Sequence, residues 1–289
     1  MRLEIDEYCA HQLWDVLLPR GGFIVVFQAY ADAGGMNGPI VSVASFLFKK
    51  DDADALNREW ATILHPILKN EPRNKQHFHM HDFFTRKHPY AYLGEGARDA
   101  LQRDLIDSAH KHMEHGVVTS VRKVDYEIEA AGADQKAVLG SPFVMCNFWC
   151  MAALAEHLGR ADLKGDIAYA FEDGDSDKAD LEVRLAKIEA SRYLRHKYRY
   201  YSGRTFLAKC DHHALGAADM LAWEFRNAAE QYFESPEAEH RKFLDVLFQK
   251  PLGAQHLDPI QIRFRRLAES MDRANMWAEE RDEEAPEIL

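Results

Sequence analysis

The chain has 289 residues, 47% of them hydrophobic and 29% charged, with 16 Gly and 10 Pro. These values exclude collagen-like and disordered classes and leave a globular chain long enough to bury a sizeable core. The net charge of −11, from 47 acidic against 36 basic residues, does not mark a nucleic-acid binder. Total charge is a poor guide, however, where bases gather on one face and acids gather round a metal.

No run of about 18 consecutive apolar residues occurs, so no membrane partner is expected. The N-terminus carries acids where a secretory leader carries bases, which argues against that route. Cys9, Cys146, Cys150 and Cys210 are too few for a disulfide scaffold and show no C-x-x-C spacing. A reducing, cytoplasmic setting is the expectation.

In chain order, a short N-terminal helix is followed by Gly21–Gly22 and the β-rich run GFIVVFQAYAD, which ends at Asp32. AGGMNG reads as a turn and PIVSVASFLFKK as the second strand of a hairpin. A helix follows over about 53–68, with Asp51 or Asp52 as cap and Leu56, Trp60, Ile63, Leu64 and Ile67 on one face. QHFHMHDFF reads as a short strand, and about 95–115 as a helix that Gly116 ends.

GVVTSVRKV is a strand. Ser141 and Pro142 open a buried helix, PFVMCNFWCMAALAEHL. DIAYAFED is a strand, 178–194 a helix, RTFLAKC a strand, and ALGAADMLAWEFRNAAEQYF a helix. A last helix is expected near 258–276, before an acidic tail. The pattern predicts one mixed α/β domain over 1–289, without repeats or linkers.

Three acids adjoin apolar runs. Asp32 ends the first strand, Glu172 and Asp173 end a later one, and Asp219 sits in an otherwise apolar helix. A carboxylate in such a setting is costly unless paired or bound to a metal. Convergence of these acids would give an oxygen-rich cage suited to Mg²⁺ or Mn²⁺. Each also has a simpler reading: Asp32 as a turn residue before Gly34–Gly35, Glu172–Asp173 as a solvated loop, and Asp219 as a helix-surface residue.

Tyr30-Ala31-Asp32-Ala33-Gly34-Gly35, the helix containing Trp60, His77-Phe78-His79, Ala168-Tyr169-Ala170-Phe171-Glu172 and Leu215-Gly216-Ala217-Ala218-Asp219-Met220-Leu221-Ala222 together resemble family 3800 of the domains of unknown function. The first motif keeps the family's aspartate and glycine and loses its Glu-Ser pair. His77 stands where the family has an acid. The resemblance spans about residues 22–230 and implies a ribonuclease H-like fold, here with additional C-terminal helices over about 231–289. It further implies metal-dependent nuclease chemistry carried by Asp32, Glu172 and Asp219. His77 and Asp173, next to these positions in the chain or in the motifs, are further candidate metal ligands. Two ions about 3.5–4 Å apart would activate water and stabilise the leaving oxygen. His79 would position water, shuttle a proton or ligate one ion.

His77, His79 and His81 alternate, which in a strand puts all three on one face and opens a second reading, a His-metal hydrolase of a small molecule. His212–His213 reads as a loop beside a helix start. Residues 192–204 are basic and aromatic without an acid. Arg192, Arg195, Lys197, Arg199 and Arg204 would neutralise phosphates, and Tyr198 and its neighbouring tyrosines would stack on bases. The same run also reads as a packed helix end or as the interface of a homo-oligomer. No phosphate loop or nucleophile elbow occurs. The functional expectation is a metal-dependent nuclease acting on DNA or RNA. The alternative within the same fold is a catalytically silent binding module.

Overall fold

The computed structural model describes residues 26–283 apart from 175, 202–204, 238, 240 and 251. The expected N-terminal helix, Cys9 and Arg204 lie outside the described residues.

β1 (Val26–Gly34) and β2 (Ile40–Lys49) form the expected antiparallel hairpin. The turn begins at Gly35, whose φ of 79° suits glycine and where an added Cβ would lie 2.1 Å from the Ile40 carbonyl oxygen. Asp32 is therefore a strand residue and not a turn residue. β3 (His115–Arg122) continues the antiparallel pairing beyond β2. β4 (Asp166–Glu172) pairs parallel with β1, and β5 (Thr205–Leu207) parallel with β4.

The sequence reading misses β6 (Leu252–Leu257), which pairs parallel with β3. It falls in the stretch expected to be helical. LGAQHL has no β-branched or aromatic residue, so only the exposed ladder of β3 recruits it. The strand order is β5-β4-β1-β2-β3-β6. With helices on both faces, this is the mixed α/β sheet flanked by helices that the sequence predicts.

The helices are α1 (Lys50–Leu68), α2 (Met80–Phe84), α3 (Glu95–His112), α4 (Lys123–Glu129), α5 (Ala133–Leu139), α6 (Pro142–Arg160), α7 (Lys178–Ala190), α8 (Arg192–Lys197), α9 (His213–Glu234), α10 (Lys242–Leu247) and α11 (Pro259–Glu283). Asp51 and Asp52 occupy the first turn of α1 rather than its cap, where a carboxylate complements the helix dipole. Ser141 caps α6 as expected, its Oγ accepting the Val144 N–H at 3.3 Å. The single helix expected over 178–194 divides at Ser191, whose Oγ accepts the Leu194 N–H at 3.2 Å and starts α8.

Each sheet face has its own core. On one, α6 packs on β2 and β3 and joins Phe27, Ala29 and Ala31 of β1 in a cluster that reaches Leu181, Tyr198 and Tyr200. Residues 134–160 are long and apolar enough to cross a bilayer by composition, but 61% of the most apolar window is buried inside the fold. On the other face, α9 lies across β1 and β2. Tyr30, Phe46, Trp60, Phe78 and Leu215 belong to that core.

Two contacts set how closely this second layer sits. Ser42 Oγ donates to the Ala222 carbonyl at 2.6 Å, satisfying a hydroxyl in a strand buried from Ile40 to Phe48. A Cβ on Gly216 would lie 3.0 Å from the Trp60 ring. Gly116 does not end α3. It lies inside β3, where an added Cβ would be 2.6 Å from Leu252 and 2.7 Å from the Phe46 ring.

Candidate functional site

The strand register assembles the first half of the site. In the parallel β1–β4 pair Ala31 lies opposite Phe171, so Asp32 and Glu172 follow as neighbours at the carboxyl ends of the two strands. Ala31 and Phe171 belong to the α6-side core, whereas Tyr30 and Ala170 belong to the other. With side chains alternating along each strand, Asp32 and Glu172 both face α9. That helix lies over the same edge and buries Asp219 between Ala218 and Met220. The surface reading of Asp219 is thus excluded.

The three carboxylates meet at one point, and an ammonium group occupies it. Lys209 Nζ lies 2.7 Å from Asp32 Oδ2, 3.3 Å from Glu172 Oε1 and 3.7 Å from Asp219 Oδ2. Relative exposures are 2% for Asp32, 4% for Asp219 and 7% for Lys209. Backbone donors complete the cluster: the Ala33 N–H donates to Asp32 Oδ1 at 2.6 Å, and the Met80 N–H to Asp219 Oδ2 at 2.7 Å.

Burial pushes the Asp32 carboxyl well above the usual carboxylate range. Lys209 pulls against that, while Asp219 and Glu172 add to it. Glu172 is also raised by burial, but the Lys209 ammonium and hydrogen bonds from Asp32 and Lys209 outweigh this and hold it low. Burial disfavours the Lys209 ammonium, yet Asp219, Asp32 and Glu172 keep it charged beyond its ordinary range. The sequence carried no signal for Lys209. One lysine after a strand, in FLAKC, looks like a solvated end.

The histidine run departs from expectation. Residues 76–79 are not a strand, and α2 begins at Met80. The three histidines therefore share no strand face. His77 lies beside the cluster, within the electrostatic reach of Lys209, Glu172 and Asp219. Burial first, then Lys209 and His79, hold its imidazole below the ordinary value. Its Nδ1 is buried without a hydrogen-bond partner. His79 Nδ1 sits 3.1 Å from Asp82 Oδ2, and the exposed His81 has Nε2 3.2 Å from Lys87 Nζ. A three-histidine centre is not formed. His212 precedes α9 and His213 begins it, as the loop reading anticipated. Burial, with His77 and His212 nearby, pushes His213 down to about 4.

Asp173 is not brought to the focus. It is half exposed and pairs with Lys178 Nζ at 2.7 Å. The basic run is largely structural. Lys197 Nζ bonds both Asp272 oxygens at 2.6 and 2.7 Å. Tyr198 is buried, its hydroxyl accepting from Arg265 Nη2 at 3.0 Å, and burial pushes its pKa up to about 12. Arg199 Nη1 donates to the Leu163 and Gly165 carbonyls at 3.1 and 3.4 Å. Tyr198 and Tyr200 belong to the α6-side core, across the sheet from the carboxylates. They cannot stack on a base. Arg192 and Arg195 are exposed.

The donors fit a hard cation in chemistry: three carboxylates, two of them almost fully buried, with an unsatisfied imidazole nitrogen alongside. As folded, Lys209 holds the focus. Among the described residues no group of three or more His, Cys, Asp or Glu side chains is disposed to hold a metal ion.

No protein-family profile matches the chain, and no curated protein matches it. Among solved structures, a chain in the PCNA:RNase HII complex from Archaeoglobus fulgidus is similar at a TM-score of 0.39 and 14% identity. The match covers 77% of this chain and 87% of that one.

Proposed function

We propose that the protein is a phosphodiester hydrolase acting on nucleic acid through a divalent cation, Mg²⁺ or Mn²⁺, held by Asp32, Glu172 and Asp219. The observation that carries this reading is the meeting of three acids, from positions 32, 172 and 219, round one positive charge. These are also the three acids to which the resemblance to family 3800 points. A cation bound there supplies polarisation of the phosphate and of an attacking water. His77, standing where that family has an acid, accepts a proton at its unpartnered Nδ1, and Asp82 orients His79.

The test is cleavage of labelled single- and double-stranded DNA and RNA, with Mg²⁺ or Mn²⁺ and with chelator. Wild type is compared with Asp32→Ala and Asp219→Asn. Metal-dependent cleavage lost in both variants is the expected result. A second reading, a binding module that does not hydrolyse, draws on Lys209 already filling the focus. Binding without cleavage under every metal condition would establish it instead.

A further inference from the structure

We infer that Lys209 is a tethered counter-ion that competes with divalent cations for the carboxylate focus, so that metal loading requires its ammonium to withdraw. The inference rests on the reading that Asp32, Glu172 and Asp219 take a metal, and it assigns the residue that regulates that step.

Lys209 Nζ contacts one oxygen from each of the three acids, at 2.7, 3.3 and 3.7 Å. That is the place a bridging cation needs. Among the described residues it is also the one cation paired with those three side chains. An ammonium and a divalent ion cannot both sit there, because like charges a few ångströms apart in a buried site repel strongly.

Lys209 is 7% exposed, and a charge so placed survives only with close counter-charges. Equally, the Lys209 ammonium supplies the positive charge that offsets the burial of Asp32 and Asp219 beside Glu172 as carboxylates. Lys209 thus allows the metal-free fold to form.

Lys209 stands two positions beyond β5 and four before α9, in the turns of 208–212, where the Asp211 N–H donates to the Ala208 carbonyl at 3.1 Å and the His212 N–H to the Lys209 carbonyl at 3.3 Å. The backbone is held by this turn, while the four-carbon stem of lysine has the rotamer freedom to swing its head. Arginine at this position would keep the charge but lose the compact head.

The experiment measures Mn²⁺ binding without nucleic acid. Free Mn²⁺ is followed by electron paramagnetic resonance, and melting temperature is recorded with and without Mn²⁺, for wild type, Lys209→Gln and Lys209→Arg. Lys209→Gln is expected to melt lower than wild type in chelator, to gain more from Mn²⁺, and to bind Mn²⁺ at least tenfold more tightly. Lys209→Arg is expected to stay near wild type. Should Lys209→Gln fail to fold, reductive methylation of the wild-type protein gives the same information. Lys209 is expected to be protected in chelator and to react once Mn²⁺ is added.

Equal Mn²⁺ affinity in wild type and Lys209→Gln, or methylation of Lys209 indifferent to Mn²⁺, overturns the inference and leaves the metal reading standing. Mn²⁺ binding by no variant overturns both. Tight Mn²⁺ binding by Lys209→Gln without cleavage of any nucleic acid supports the inference while removing the hydrolase.

Discussion

Asp219 accepts the backbone N–H of Met80 across 139 residues of sequence, at 2.7 Å in a buried setting. This bond ties α9 to the start of α2 and so holds His77 and His79 against the carboxylates. Charge-assisted bonds of this kind are worth about 1.5–3 kcal/mol, and more is lost when a buried donor is orphaned.

Asp219→Ala is therefore expected to destabilise the protein by about 2–4 kcal/mol, since it orphans Met80 N–H and weakens the pairing of Lys209. Asp219→Asn keeps an acceptor oxygen and should cost less. Urea denaturation gives the stability change. Hydrogen exchange at Met80 discriminates further: fast exchange is expected in the alanine variant and near-native protection in the asparagine variant. Equal protection in both would show that the bond does not hold this segment.

Gly116 predicts a packing effect inside the sheet, between β2 and β6. Gly116→Ala drives a methyl against Leu252 and the Phe46 ring, and overpacking of this kind costs about 1–3 kcal/mol. Leu252→Ala in the same chain opens space on one side and is expected to restore part of the loss. Additive destabilisation in the double variant would contradict the clash.

Acid is expected to weaken the fold through buried histidines away from the site. Burial lowers the pKa of His110, whose Nε2 lies 3.0 Å from the Leu247 carbonyl oxygen. That contact and Asp107 oppose the shift, while Lys250 adds to it. Burial likewise lowers His157 and His256. A histidine with a folded pKa below its unfolded value of about 6.5 binds its proton more readily when unfolded. Its stability contribution is complete above about pH 6.5 and is lost as pH falls toward the folded pKa. Asp32, shifted upward, acts in the opposite sense, so the test is a difference. The urea midpoint of His110→Gln should fall less than that of wild type between pH 7 and pH 5. Parallel curves would refute the assignment.

Charge in the 192–199 run should matter for stability at one end and not at the other. Arg199 holds φ at +47° and ties the Leu163–Gly165 turn to the chain before β5. Arg199→Ala is expected to lose about 1–3 kcal/mol of stability. Arg195→Glu, at an exposed position, should change it by less than about 0.5 kcal/mol. If Arg199→Ala melts with wild type, those two carbonyl contacts are not stabilising.

Local chemistry in the chain was enough to place the hairpin, the capped helix from Ser141, the strand ending at Glu172 and the helix carrying Asp219. Each has a strong period, cap or apolar run of its own, and the hairpin, the Glu172 strand and the Asp219 helix each brought an acid to the same sheet edge. β6 and the histidine segment were misread because their state depends on a partner: the β3 ladder for one, and the Asp219 carboxylate that accepts Met80 N–H for the other. The tyrosines of the basic run alternate with charge as a stacking surface would, yet the sheet face they meet buries Tyr198 and Tyr200. Residue order thus settles where carboxylates end up, since periodicity and capping act within a dozen residues. Which cation sits among them is a matter of three-dimensional meeting: an unremarkable lysine becomes the centre of the site only when two strand ends and a helix close round it and exclude water.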